Sequence, residues 1–338
     1  MSKQNIIVGD IGATKCAAAI VEYDNESKNL SCIKQFSTKL KDHQSLHELF
    51  HKIESQLEVK MSDANAICIG AAGMYNGERL LLESGYPYDM CFAEIAKNSK
   101  WAPFTVIHDY APIICSTFTS HVDSPNHIKQ LNQCAINPYG RRVALGIGTG
   151  LGLKDGVLFS NGDFWLGTNE MGHIGTTHPP MTDHYYINRH KELISYLHAA
   201  GVLKPHEPLS FEKILSGRGV VRLHQFIHRN AEQLTPEEIG QIIRDGHAQE
   251  TLEIFAWYLG LFVGTVQLTF MPDGGIWITG GVALNHIDAF DTPEFFKGIE
   301  ASPAYLDQRK QFPLAVLRHT DHAFMGGAYY AVKRLLHL

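Results

Sequence analysis

The 338-residue sequence predicts an α/β fold built from two related halves. Short apolar runs rich in Val and Ile alternate with longer amphipathic stretches, the pattern of strands and helices. A strand, glycine turn, strand device runs from Asn5 to Tyr23 and recurs from Val143 to Phe159, about 135 residues later, as an internal duplication would place it. The chain is also too long for one small core, which makes two domains natural.

Composition narrows the function classes. A 44% hydrophobic, 19% charged chain is ordinary for a globular protein. The net charge of −6, with no run of Lys and Arg, argues against a general nucleic-acid binder. The N-terminus lacks the apolar core of a signal peptide. No stretch approaches the ~20 continuous apolar residues of a membrane span. The six cysteines form no C-x-x-C pair, which fits free thiols in a reducing cytoplasm. The histidines are scattered and read mainly as surface residues.

Along the chain, Asn5 to Val8 is a β-type run ending in Gly9-Asp10-Ile11-Gly12-Ala13-Thr14-Lys15, and Cys16 to Tyr23 is its partner strand. Ser45 to Leu57 is an amphipathic helix with Leu46, Leu49, Phe50, Ile53 and Leu57 on one stripe. Ala66 to Ala71 is an apolar strand. Thr105 to Ile107 is another, delivering His108-Asp109-Tyr110 at its C-terminal end, where open α/β sheets bind ligands. Val143 to Leu145 enters a turn with glycines at Gly146, Gly148, Gly150 and Gly152 and a hydroxyl at Thr149. Successive N–H groups in such a turn suit phosphate oxygens. Helices follow over Asp183 to Ala200, from a Thr235-Pro236 start, and over Ala248 to Leu268. Gly275 to Thr279 is a buried-type strand ending in Gly280-Gly281, and Ala323 to Leu336 is the last helix.

Neither G-x-G-x-x-G nor the Walker pattern occurs, which argues against a Rossmann dehydrogenase and a P-loop ATPase. His47-Glu48-Leu49-Phe50-His51 matches H-E-x-x-H, but its histidines fall off the apolar stripe and should face solvent. Asp109, at a strand end with no adjacent Lys or Arg, suits a base that accepts a proton from an attacking hydroxyl. Asp10, inside the first turn, suits magnesium held through water. Glu170 and His173 suit a polyhydroxylated ligand.

Taken in order, these segments resemble the sugar-kinase, Hsp70 and actin superfamily. Gly9 to Lys15 is similar to its first phosphate motif, Leu145 to Gly152 to the second, and Ile278 to Ala283 to its adenosine motif. More narrowly, Ile107-His108-Asp109-Tyr110, Gly148 to Gly152, Glu170-Met171-Gly172-His173 and Leu215-Ser216-Gly217-Arg218-Gly219 resemble bacterial glucokinases. The resemblance implies a two-domain ribonuclease H-like (actin-like ATPase) fold, each domain a mixed sheet flanked by helices. It implies a small domain of residues 1–115 with 321–338 and a large domain of 116–320, hinged against each other. ATP with magnesium would phosphorylate O6 of glucose, Asp109 acting as base. His108, Asp109, Glu170, His173 and Glu212 would bind sugar. Asp10, Gly12, Thr14, Lys15, Gly148, Thr149, Gly150, Gly280 and Gly281 would bind nucleotide, with Asp10 also the metal residue. The resemblance further implies a homodimer, and the unpaired cysteines fit a cytoplasmic location. No cysteines follow His173 as in the related ROK kinases, so no zinc is expected. His108 stands where the glucokinase family usually has Asn, Glu83-Ser84 where it has Thr-Asn, Ala13 for Gly, Lys15 for Asn and Arg218 for Pro. Two other readings stay open: a kinase for another hexose or amino-sugar, and a sugar sensor without turnover.

Overall fold

A computed structural model describes residues 3–12, 14–81, 86–229, 234–319 and 321–338. Ala13 and Glu83-Ser84 lie outside the described residues. The chain forms two compact units: Met1–Ile128 with Leu158–Leu166 and His319–Leu338, and Lys129–Val157 with Gly167–Arg318. Residues 116–128 and 158–166, which the resemblance places in the large domain, cluster with the first unit.

The first unit holds a mixed five-stranded sheet. Strands β1 (Lys3–Ile11), β2 (Lys15–Asp24) and β3 (Leu30–Lys39) form an antiparallel meander. On the other side of β1, β4 (Ala66–Ala71) and β5 (Phe104–His108) run parallel to it. Alternate side chains of β1 point to opposite faces, and both faces are buried. Ile7 joins Ile67, Ile69 and the stripe of helix α1 (Leu46–Leu57), whose Ser45 hydroxyl caps the Glu48 N–H. Ile6 and Val8 face Phe324, Met325 and Ala328 of the C-terminal helix His322–Arg334. That helix also packs against α2 (Tyr110–Ser116). Their backbones come so close that a Cβ at Gly326 would stand within bonding distance of the Pro112 carbonyl oxygen, at 1.6 Å.

The second unit is built on β6 (Arg142–Ile147) and β7 (Leu151–Leu158), antiparallel, with β8 (Gly275–Thr279) and β9 (Leu314–Leu317) continuing in parallel from β6. Helices α3 (His184–Ala199), α4 (Gly217–Ile227) and α5 (Pro236–Arg244) follow the hairpin. The Thr235-Pro236 start is a full capping box with Glu238. Helix α6 (Gln249–Phe270) is apolar and long enough to cross a membrane by composition alone, but 83% of its most apolar window is buried inside the protein. It is the core helix of this unit. Helix α7 (Pro293–Glu300) crosses it backbone to backbone: a Cβ at Gly260 would lie 1.9 Å from the Phe295 carbonyl, and one at Gly298 2.2 Å from that of Trp257.

A buried cation sits beside this crossing. Arg309 is fully buried, and its guanidinium donates to the carbonyls of Gly264, Ile299, Ser302 and Ala304 and to Gln267 Oε1. The planar fork suits several fixed carbonyls at once. All six cysteines are free.

Candidate active site

Each unit carries one glycine turn. In the first, β1 ends at Asp10-Ile11, Ile11 pairs with Cys16, and the Gly12 N–H donates to the Lys15 carbonyl at 2.9 Å. Thr14 and Lys15 are exposed at the tip. The parallel strands β1, β4 and β5 end together, with Asp10 paired to Gly70 and Ala71 to His108. The Asp109 N–H extends this ladder to the Ala71 carbonyl at 3.1 Å. Gly70 permits the approach, since a Cβ there would be 3.0 Å from Pro112 Cγ and 3.7 Å from Asp109 Cα.

Electrostatics tie the two aspartates together. Desolvation first, then the Asp109 charge, push the Asp10 carboxyl up to about 6, while Lys15 opposes the rise. Asp109 Oδ1 is buried and receives no hydrogen bond, although His108 Nδ1 is 2.9 Å away. The same nitrogen lies 3.3 Å from the Tyr110 N–H, and the position of the ring proton decides which of the two contacts it serves. Tyr86, which sequence reasoning missed, donates its hydroxyl to the carbonyls of Ile11 and Ala72 at 3.0 and 3.2 Å, joining the ends of β1 and β4. Burial, and then the Asp109 charge, raise its pKa. It sits in a Tyr-Pro-Tyr run with no periodicity to flag it.

The second turn closes between Ile147 and Leu151, with the Gly148 N–H donating to the Gly150 carbonyl at 2.9 Å. Thr149 is exposed at its tip. Helix α4 begins against it: the Gly217 N–H donates to the Gly148 carbonyl at 2.9 Å, and Ser216 caps the helix by accepting the Gly219 N–H at 3.1 Å. Glu212 lies on the same side. Its Oε2 accepts the Leu151 N–H at 3.2 Å, and a Cβ on Gly150 would stand 2.8 Å from it. Gly280, at φ +101°, ends β8 over β6, where a Cβ would meet the Ile147 carbonyl at 2.3 Å. Gly281 opens a short turn of helix.

The loop bearing Glu170 and His173 is stitched to the segment bearing Glu212. The Phe211 N–H donates to the Ile174 carbonyl at 3.1 Å, and the Thr176 N–H to that of Leu209 at 2.7 Å. Glu170 and His173 remain 75% and 60% exposed, with 4.0 Å between Oε2 and Nε2, so both are open to a ligand. By contrast, His47, Glu48 and His51 face solvent on α1, and Glu48 caps the Gln44 N–H at 2.7 Å.

A sequence model of the glucokinase family matches residues 7–334. The chain belongs to the glucokinase family. This family member is 26% identical over 340 residues to the glucokinase of Mesorhizobium japonicum, covering 96% of this chain and 91% of that one. Its fold is similar to that of Balamuthia mandrillaris glucokinase in complex with glucose (TM-score 0.78, 16% identity, 97% and 93% of the two chains). It is also similar to a ROK family glucokinase from Streptomyces griseus in complex with glucose and AMPPNP (TM-score 0.60, 17% identity, 96% and 98%). The fold is the two-domain actin-like ATPase fold, with a mixed sheet in each unit.

Proposed function

We propose that this chain transfers the γ-phosphate of ATP to the O6 hydroxyl of glucose. It is a sugar kinase of the glucokinase family. Asp109 carries the assignment of residues: a carboxylate oxygen buried at the end of a parallel strand without any donor is free to accept a hydroxyl proton. In the reaction, O6 forms a bond to the γ-phosphorus, the bond from phosphorus to the β,γ-bridging oxygen breaks, ADP leaves, and the O6 proton passes to Asp109.

The remaining roles follow from position. Backbone N–H groups at Thr14 and Lys15, and at Thr149 and Gly150, face phosphate oxygens, Gly12 and Gly148 close the two turns with their own N–H groups, and Gly280 and Gly281 let the backbone approach the adenosine. Glu170, His173 and Glu212 take other sugar hydroxyls. Burial, and then the neighbouring Asp109 charge, disfavour the Asp10 carboxylate, and magnesium held there through water would supply counter-charge to both. Such an ion neutralises charge developing on the transferred phosphoryl group. A cytoplasmic homodimer completes the reading, supported by the six free thiols and by the family resemblance.

His108, beside Asp109, favours a second reading, another hexose or an amino-sugar as acceptor, because an imidazole has a different reach from an amide. A coupled ADP-release assay across glucose, mannose, fructose, glucosamine and N-acetylated hexosamines tests both. The highest kcat/KM is expected for glucose. No turnover of glucose, with turnover of another sugar, would overturn the substrate. No turnover of any sugar by a folded chain would overturn the kinase.

A further inference from the structure

Four histidines and an aspartate that the reaction does not use gather in the first unit. The His121 and His127 rings stack at 3.9 Å between centroids, and His322 lies edge-on to His121 at 4.9 Å. His319 is edge-on to His127 at 5.8 Å. We infer that His121, Asp321 and His322 form a binding site for one divalent transition cation, with Zn2+ the best match.

Three observations carry this. The donor atoms of these residues all lie within 4.8 Å of one another, the one such group of His, Cys, Asp and Glu among the described residues. One atom from each, His121 Nε2, Asp321 Oδ1 and His322 Nδ1, is buried with no hydrogen-bond partner. The first two are 3.7 Å apart, too far for a hydrogen bond. Such atoms are rare in folded proteins and call for an explanation such as an ion. Finally, the two imidazoles are enclosed, His121 being 10% exposed at its side chain and His322 2% exposed, while Asp321, 32% exposed at its side chain, leaves an entry path.

The chemistry fits. Two imidazoles and a carboxylate form a zinc set when water completes the tetrahedron. Bonds of 2.0–2.1 Å place tetrahedral donors about 3.3 Å apart, so the cluster need contract by at most about 1.5 Å. The His319 N–H approaches His322 Nε2 at 3.4 Å, a long contact that coordination through Nδ1 would forfeit cheaply. His127 Nδ1 meets the His121 carbonyl at 2.7 Å and braces the segment from outside the donor set. A cation here would fasten the 119–127 segment to the start of the C-terminal helix.

The test uses the full chain, stripped with a chelator and checked for fold by circular dichroism, then titrated with ZnSO4 against a chromophoric competitor. Binding of one Zn2+ per chain, with a raised Tm, is expected. His121→Gln and Asp321→Asn should each weaken binding by about tenfold to a hundredfold or more. If Asp321→Asn does not fold, His121→Gln decides alone. The doubly substituted His47→Ala, His51→Ala chain, which removes the exposed pair on α1, should bind like the parent. No Zn2+ uptake by the folded parent, unchanged affinity in folded His121→Gln, or loss of binding on removing the α1 pair would each overturn the site.

Discussion

Replacing Gly150 by alanine should injure sugar handling far more than nucleotide handling. The new Cβ would stand 2.8 Å from Glu212 Oε2 and 3.5 Å from its Cδ. The carboxylate is the free end of a flexible side chain, so it would swing away and leave the backbone unstrained. In leaving, it would give up the Leu151 N–H that now fixes it at 3.2 Å. A hydrogen bond to a charged group is worth about 1.5–3 kcal/mol. At 1.36 kcal/mol per decade, misplacing Glu212 should lower kcat/KM for glucose by roughly tenfold to somewhat over a hundredfold. Gly148→Ala is the natural companion. Nothing lies within 4 Å of a Cβ there, and its φ is not in the left-handed region. That variant should fold normally and raise KM for ATP, because its methyl enters space assigned to phosphate. The coupled ADP-release assay, run with each substrate varied in turn, separates the two. Unchanged sugar kcat/KM in a folded Gly150→Ala enzyme, or a defect confined to ATP, would refute the role given to Glu212.

Asp109→Asn keeps the shape but removes the acceptor, so kcat should fall by about 10²- to 10⁴-fold while glucose still protects the enzyme in a thermal-shift assay. His286 is buried, and desolvation, followed by Arg244, lowers its pKa from 6.5 to about 4. The unfolded chain therefore binds the extra proton first, and stability falls as pH drops from 6.5 towards 4, by about 3 kcal/mol from this ring alone at 1.36 kcal/mol per pH unit. His286→Gln should flatten that part of the stability curve measured by urea titration; an unaltered slope would contradict the assignment. Arg309→Met would strand several carbonyls around a fully buried site. Leaving a buried acceptor unpaired costs about 1–3 kcal/mol, and several are stranded here, so calorimetry should show a Tm on the order of 10 °C lower.

What could be read from the sequence was local. The strands and both glycine turns follow from apolar runs and glycine spacing, and the apolar stripe of α1 set its buried face. Asp109 stood out because it ends a strand. The links among these pieces were not legible. Glu212 clasps the Leu151 N–H across 61 residues, Arg309 reaches carbonyls up to 45 residues away, and His121 meets Asp321 across the length of the second unit. No local periodicity encodes such pairings. The histidines read as scattered surface groups for the same reason: their clustering exists only after the C-terminal helix has packed against the segment that follows α2. Residues 158–166 are a further case, running on from the last residue of β7 but clustering with the first unit.

The close passage of the C-terminal helix at Gly326 and Gly327 has a consequence for how the protein is made. A Cβ at Gly327 would lie 2.5 Å from Val8 Cγ1, so the sheet that leaves the ribosome earlier has one face shaped to fit a helix that leaves much later. About 190 residues separate Ile128 from His319, and at ~5–20 residues per second that interval is roughly 10 to 40 s. During it, Ile6, Val8 and Cys68 have no permanent cover. The intervening unit has every strand and helix of its own core to hand and can fold meanwhile. The unit whose translation starts earlier is thus completed after the other, and its window of exposure to chaperones and proteases is set by the length of the unit inserted within it.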